Sequence, residues 1–182
     1  MSDNYNILYH IDDQDQIVLV SETWDAFALA NEGHNILSSH VFRRSIWDFI
    51  SDPATEQIYR QVLKTIRSGR SLRFNFRCDS PARRRLLEMN IVSGQRSTVI
   101  FNTRTLSEEM RHPPAILGPR KPSSDKFVRM CGWCKKIDMG NQWVEVEVAM
   151  EQLRLFEEEK VPSITHGICG ECYGKMKLLI ES

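Results

Sequence analysis

The chain is 182 residues long, the size of one full domain plus a small appendage. Its 24 basic and 24 acidic side chains cancel, so no global field draws it to nucleic acid or to anionic lipid. A composition of 41% hydrophobic and 9% aromatic residues is that of a globular chain able to bury a core, which excludes a disordered polypeptide.

The opening MSDNYNILYH lacks the basic and apolar regions of a signal peptide, and no apolar run reaches the roughly 18 residues of a membrane span. The expected location is therefore cytoplasmic, with no membrane partner. Thiols stay reduced there, so the five cysteines need another explanation than disulfides.

In chain order, Asn6 to Ile11 and Gln16 to Val20 read as two strands joined by the polar turn Asp12-Asp13-Gln14-Asp15. Glu22 to Ala30 carries Trp24, Phe27 and Ala28 at helical spacing, with a stop at Asn31-Glu32-Gly33. Asp52 and Pro53 form an N-cap and first-turn pair. Behind them Ile58, Val62 and Ile66 share a face, flanked by Tyr59 and Leu63, until Gly69. Leu72, Phe74, Phe76 and Cys78 then alternate with Arg73, Asn75 and Arg77, predicting a strand with its basic set in water. Leu87, Met89 and Ile91 repeat the device, and Val99 with Phe101 follows the Ser93-Gly94 turn.

This order predicts an α+β fold: a five-stranded antiparallel sheet with helices on one face. It resembles the PAS sensor family, on element order and on pieces such as the Asp12 to Val20 hairpin, the Ile46-Trp47-Asp48-Phe49-Ile50 segment and the Pro53 helix. The resemblance covers residues 5–106. It implies a cavity between sheet and helices that in the family holds haem, flavin or a small organic ligand, or is simply filled, and a sheet surface used for dimer contacts. Haem needs an axial donor. His10 falls on a strand, His34 and His40 in the short-helix segment and His112 downstream, while the Pro53 helix has no histidine, so haem is not expected. No Asn-Cys-Arg-Phe-type segment precedes that helix, which excludes the blue-light flavin chemistry of the family. Cys78, on an apolar strand face, reads as a small buried hydrophobe with a raised thiol pKa. The run Arg83-Arg84-Arg85 reads as the solvated face of paired strands, with no interleaved aromatic platform for stacking bases.

From Arg104 to Lys126 the chain holds four of its seven prolines and few large apolar residues, which is linker composition. Residues 107–126 are read as linker, and 127–178 as a separate small module. Its signature is two C-x-x-C pairs, Cys131 with Cys134 and Cys169 with Cys172. Two residues between cysteines let both thiolates of a tight turn reach one ion, and two such turns complete a closed tetrahedral site, the arrangement of structural Zn²⁺. The 34 residues between the pairs exceed a simple ribbon. The alternation WVEVEV over Trp143 to Val148 predicts a strand, and Ala149 to Glu158, with Met150, Leu153 and Phe156 on one stripe, a helix ended by Pro162. His166, three residues before Cys169, is a fifth donor able to replace a cysteine or orient one from outside the first ligand layer.

Cys-x-Trp-Cys-Lys-Lys followed by Thr-His-Gly-Ile-Cys-x-x-Cys also resembles a C-terminal cysteine module of bacterial PAS and response-regulator proteins, with Gly170 where a proline is usual. That resemblance implies bacterial signalling. Lys135 in the position after the first pair excludes c-type haem attachment. An iron–sulfur cluster fits the same spacing. A thioredoxin-like redox pair requires a preceding core strand and a βαβ setting that Lys126 to Met130 offers only weakly. From Phe127 onward 7 basic and 9 acidic residues leave a net charge of −2, which argues against a phosphate-gripping surface and for protein contact. With no nucleophile–base pair, phosphate loop or open metal site, a non-enzymatic signal-sensing or adaptor protein is expected, acting on a protein partner or as a homodimer and with room for a small-molecule ligand of unknown identity. The alternatives are a thiol redox sensor using the cysteine pairs and a transcription regulator.

Overall fold

The computed structural model describes residues 6–31, 33–117, 127–153 and 162–182. Strands β1 (Ile7–Ile11) and β2 (Ile17–Val20) form the expected hairpin. The Asp12 carboxylate accepts the N–H groups of Gln14 and Gln16, both at 2.9 Å, and Asp15 takes a positive φ of 61°, the αL conformation that Asp tolerates in turns. Helix α1 (Trp24–Ala30) starts two residues inside its expected bound, and α2 (Ser38–Val41) is a single turn. Glu32, part of the expected stop after α1, lies outside the described residues.

Helix α3 (Pro53–Arg67) follows the capping chemistry. Asp52 Oδ2 accepts the Thr55 N–H at 2.8 Å, Ile58, Val62, Leu63 and Ile66 are buried, and Gly69 leaves the helix at φ +94°.

Strands β3 (Leu72–Arg77), β4 (Arg83–Ser93) and β5 (Val99–Met110) complete an antiparallel sheet of order β2-β1-β5-β4-β3. Register places Leu72 opposite Ile91 and Ile91 opposite Phe101, with Phe74, Met89 and Thr103 in the next row. These inward rows meet α3, and the helices cover that face. Strand β5 runs on to Met110, into the segment of linker composition. Its last residues are held by cross-strand partners distant in sequence, Arg85 opposite Glu108 and Arg84 opposite Glu109. Residues 118–126 of that segment lie outside the described residues.

The basic run is a solvated face only in part, since Arg83 stays 41% exposed while Arg85 is buried. The Arg85 side chain is 7% exposed and bonds Glu108 (2.7 Å) and Asn31 Oδ1 (2.7 Å), while Arg83 pairs with Glu108 and Arg84 with Glu147. Arg77 does not point into water. It pairs with Asp79 and, at 2.6 Å, with Glu145, whereas Arg73 stays exposed as expected. Parity along a strand says which face a side chain leaves, but acidic groups carried over that face from elsewhere decide whether it meets solvent.

Downstream, β6 (Phe127–Cys131), β7 (Ile137–Asp138), β8 (Trp143–Val144) and β9 (Ser163–Gly167) form a second sheet of order β8-β7-β6-β9, with β6 and β9 parallel. The expected WVEVEV strand stops after two residues. Helix α4 (Val146–Gln152) begins inside it because Val146, Ala149 and Met150 are buried at i, i+3 and i+4, a helical face that the valine alternation masks. Phe156 and the expected end of this helix lie outside the described residues. Helix α5 (Gly170–Glu181), which sequence reading did not anticipate, starts on Cys169 as N-cap.

Two buried clusters result. One, inside the second sheet, joins Met130 and Ile137 to α4 and to Ile116. The other runs from the five-stranded sheet and α3 without interruption into Cys131, Trp133, Cys169 and Met176. The cysteine turns are thus part of the larger core. Trp133 is its wedge, with ring centroids 4.9 Å from Phe74 and 5.7 Å from Tyr59. The Arg77 N–H donates to the Trp133 carbonyl at 2.7 Å, and Arg70 donates to the Ile180 carbonyl of α5 at 2.9 Å.

Candidate metal centre and adjoining cavity

The cysteine turns are built by ordinary backbone devices. β6 delivers Cys131, whose N–H and carbonyl bond the Lys136 carbonyl (2.8 Å) and the Lys135 N–H (2.9 Å), closing a turn in which Lys135 takes φ 62°. β9, parallel to β6, delivers the second turn. The Gly132 N–H donates to the Gly167 carbonyl at 2.8 Å, and α5 then carries Cys172 back over the first pair. The Cys169 N–H points at Cys131 Sγ and the Cys172 N–H at Cys169 Sγ, both at 3.4 Å, so amide dipoles face the sulfurs where negative charge would gather.

All four sulfurs, of Cys131, Cys134, Cys169 and Cys172, lie within 4.8 Å of one another, and Cys134 Sγ to Cys169 Sγ is 3.8 Å. A tetrahedron with metal–sulfur bonds of roughly 2.3 Å has an edge of about 3.8 Å, whereas a disulfide brings sulfurs to about 2.05 Å. The donor set therefore fits a tetrahedral metal ion, and four close cysteines able to hold one are what the structure shows. Cys131 is held far below the usual thiol range by S–H donation from Cys134 and then Cys172, and those two are pushed up by their bonds to Cys131.

His166 is not one of the converging donors, and among the described residues it makes no hydrogen bond to a cysteine. Its site on β9, opposite Met130, turns it toward a neighbouring cavity instead. Although His166 is exposed to solvent, partial desolvation, then Lys135, lowers its pKa, with Asp52 opposing. Cys78 lies just past the end of β3 and is only half-buried rather than fully buried, though desolvation still raises its thiol pKa. The strand before the first pair, read as weak in sequence, is present as β6, and its parallel partner β9 is reached through α4.

The cavity, of about 590 Å³, lies between the five-stranded sheet and its helices. Its walls are aliphatic (Ile17, Ile36, Val41, Ile46) and aromatic (Tyr9, Trp24), and its rim carries Asp52, Thr55 and Tyr59. Gly132 and His166 of the cysteine module also line it, on a side where His166 stays exposed to solvent. Tyr9 stacks on Phe101 at 4.5 Å and meets Trp24 edge-on at 5.8 Å. Tyr9 and Tyr59 are half-buried, and both line the cavity. Burial raises Tyr9 well above the usual phenol range, with Tyr59 adding to it, and burial pushes Tyr59 up to about 12. Both remain neutral hydroxyl donors, and neither has a hydrogen-bond partner among the described residues. The Trp24 indole N–H is already committed to the Ile36 carbonyl at 2.7 Å.

Sequence reasoning found the four cysteines but missed Tyr9, Tyr59, Asp52 and Gly132 as cavity groups. The available signal was two tyrosines on otherwise aliphatic core faces, where a ring with a polar tip implies that the tip finds a partner or a space.

No protein-family pattern matches this chain, and no curated protein is similar to it. Among solved structures, a sensory box sensor histidine kinase from Vibrio cholerae superimposes on 57% of this chain and 82% of its own, with 11% identity and a TM-score of 0.40. Among the described residues no helix is long and apolar enough to cross a membrane.

Proposed function

We propose that the chain is a non-enzymatic, PAS-like sensor that takes a small, mostly apolar ligand between its five-stranded sheet and helices, and that its cysteine module is held by one structural Zn²⁺ and carries the output to a protein partner. The observation that supports the metal most directly is the 3.8 Å sulfur–sulfur separation, the edge of a zinc–thiolate tetrahedron. A closed four-thiolate site with no open position suits structure rather than catalysis. The ligand reading is supported by a cavity in the roughly 300–1,000 Å³ range of small-molecule sites, apolar with a few convergent polar groups.

Metal content and absorption of the full chain, purified without chelator, test this reading against Cys131→Ser and Cys169→Ser. One zinc per chain, lost in both variants and without visible bands, is the expected result. Visible iron–sulfur bands, or metal-free protein, would overturn it. The redox alternative draws on the same geometry, four sulfurs close enough for oxidation to pair them as disulfides. It requires that mild peroxide release the metal and form disulfides, whereas a structural site keeps its zinc.

A further inference from the structure

The two sites of this chain share a wall. Gly132 lies between the cluster cysteines Cys131 and Cys134 and borders the cavity. His166 precedes Gly167, whose carbonyl accepts the Gly132 N–H, and it borders the cavity from the second turn. Trp133, next to Gly132, packs on Tyr59, which itself lines the cavity. A change in the cysteine turns therefore moves the backbone at Gly132, the imidazole at His166 and the packing behind Tyr59. No part of this path is a flexible tether, since Trp133 and Cys131 are buried in the same core as the sheet.

We propose that the cysteine module forms one wall of the ligand cavity, so that a metal ion on the four sulfurs and an uncharged aromatic ligand in the cavity each tighten binding of the other. The proposal rests on the zinc and ligand readings above and adds their coupling. The ligand class follows from the walls: one or two rings between Ile17, Val41, Ile46 and the ring of Tyr9, with an acceptor atom for the neutral phenols of Tyr9 and Tyr59. The metal's part is to hold the turns in the conformation that completes the wall. A ligand that touches the wall only in that conformation favours the metal-bound state, and linkage makes the effect reciprocal.

The test uses the full chain and quinoline, an uncharged two-ring compound with a single acceptor nitrogen at neutral pH. Its Kd is measured by protein-detected NMR with zinc bound and with zinc removed, and zinc affinity is measured by chelator competition with and without saturating quinoline. At least about a fivefold tightening is expected, the same factor in both directions. Equal quinoline Kd values with and without stoichiometric zinc would overturn the coupling while leaving the metal reading intact.

Should the metal-free chain unfold, His166→Ala in the zinc-loaded chain decides. It keeps all four sulfurs and is expected to bind quinoline at least about fivefold more weakly at unchanged zinc content. Wild-type affinity in this variant would overturn the shared wall. Thr55→Trp fills the cavity while keeping the Asp52 cap, which uses the Thr55 N–H, and is expected to abolish quinoline binding. Binding that survives this change, or no binding by wild type, overturns the ligand reading and the coupling with it.

Discussion

Removal of the Trp133 side chain measures how far the cysteine module and the five-stranded sheet form one structure. Trp133 is 6% exposed and lies against Phe74 and Tyr59, two rings of the sheet and of α3. Truncating a buried tryptophan to alanine costs about 3–5 kcal/mol. Two ring contacts, each worth roughly 0.5–1.5 kcal/mol beyond area burial, place this site in the upper half of that range. The hydrogen bond from the Arg77 N–H to the Trp133 carbonyl is a main-chain bond and survives. We expect Trp133→Ala to lose about 4 kcal/mol, a fall of about 2 M in the urea midpoint for a slope of about 2 kcal/mol/M.

The assay is urea unfolding of zinc-saturated full chain, followed by far-UV circular dichroism and by fluorescence, with zinc content checked before each titration. A single transition displaced as a whole is the expected outcome, with Trp133→Phe falling between wild type and Ala. Two transitions, with that of the sheet unmoved, would refute the continuous core. So would a loss below about 1 kcal/mol, the size of an ordinary surface effect.

Arg85→Ala leaves the partly buried Glu108 with Arg83 alone and is expected to cost about 2 kcal/mol at pH 7 by chemical denaturation. Burial would raise the Glu108 pKa, but hydrogen bonds from Arg85 and Arg83 overcome it and hold the carboxyl below its ordinary value. A depressed carboxylate contributes stability that is present above its unfolded pKa of about 4.3 and is lost as pH falls through the folded pKa, so the wild type should weaken in that acid window and Arg85→Ala should show a shallower decline. An unchanged acid slope in the variant would count against the assignment. At Gly69, φ is +94° and no atom lies within 4 Å of an added Cβ, so Gly69→Ala should cost about 1–2 kcal/mol through conformation alone, and thermal denaturation should show Gly69→Asn costing less.

Local chemistry was legible in the sequence wherever a rule acts within a few residues. The Asp52 cap, Pro53 at the first turn and Gly69 at the exit bound α3 because each satisfies or releases backbone groups of its own helix. Alternation assigned Leu72, Phe74, Met89 and Ile91 to the inner face because strand geometry has period two whatever surrounds it. The C-x-x-C spacing marked Cys131, Cys134, Cys169 and Cys172, and the fold brings all four together. What failed was decided by partners far along the chain. WVEVEV became the start of a helix because Val146, Ala149 and Met150 found a core made by Met130 and Ile137. Arg77 is largely withdrawn from solvent and Arg84 partly so because Glu145 and Glu147 were carried over them.

The sequence by itself determined the strands of the five-stranded sheet, the long helix and the four converging cysteines, since propensity, capping and ligand spacing are short-range. Only the tertiary structure decided that His166 lines a cavity rather than joining the sulfurs, that Trp133 wedges into the sheet's core, and that Gly132, between two of the cysteines, borders that cavity. Those outcomes depend on where β9 pairs with β6 and on what α3 and the sheet leave unfilled, and both are long-range packing results that no local pattern encodes.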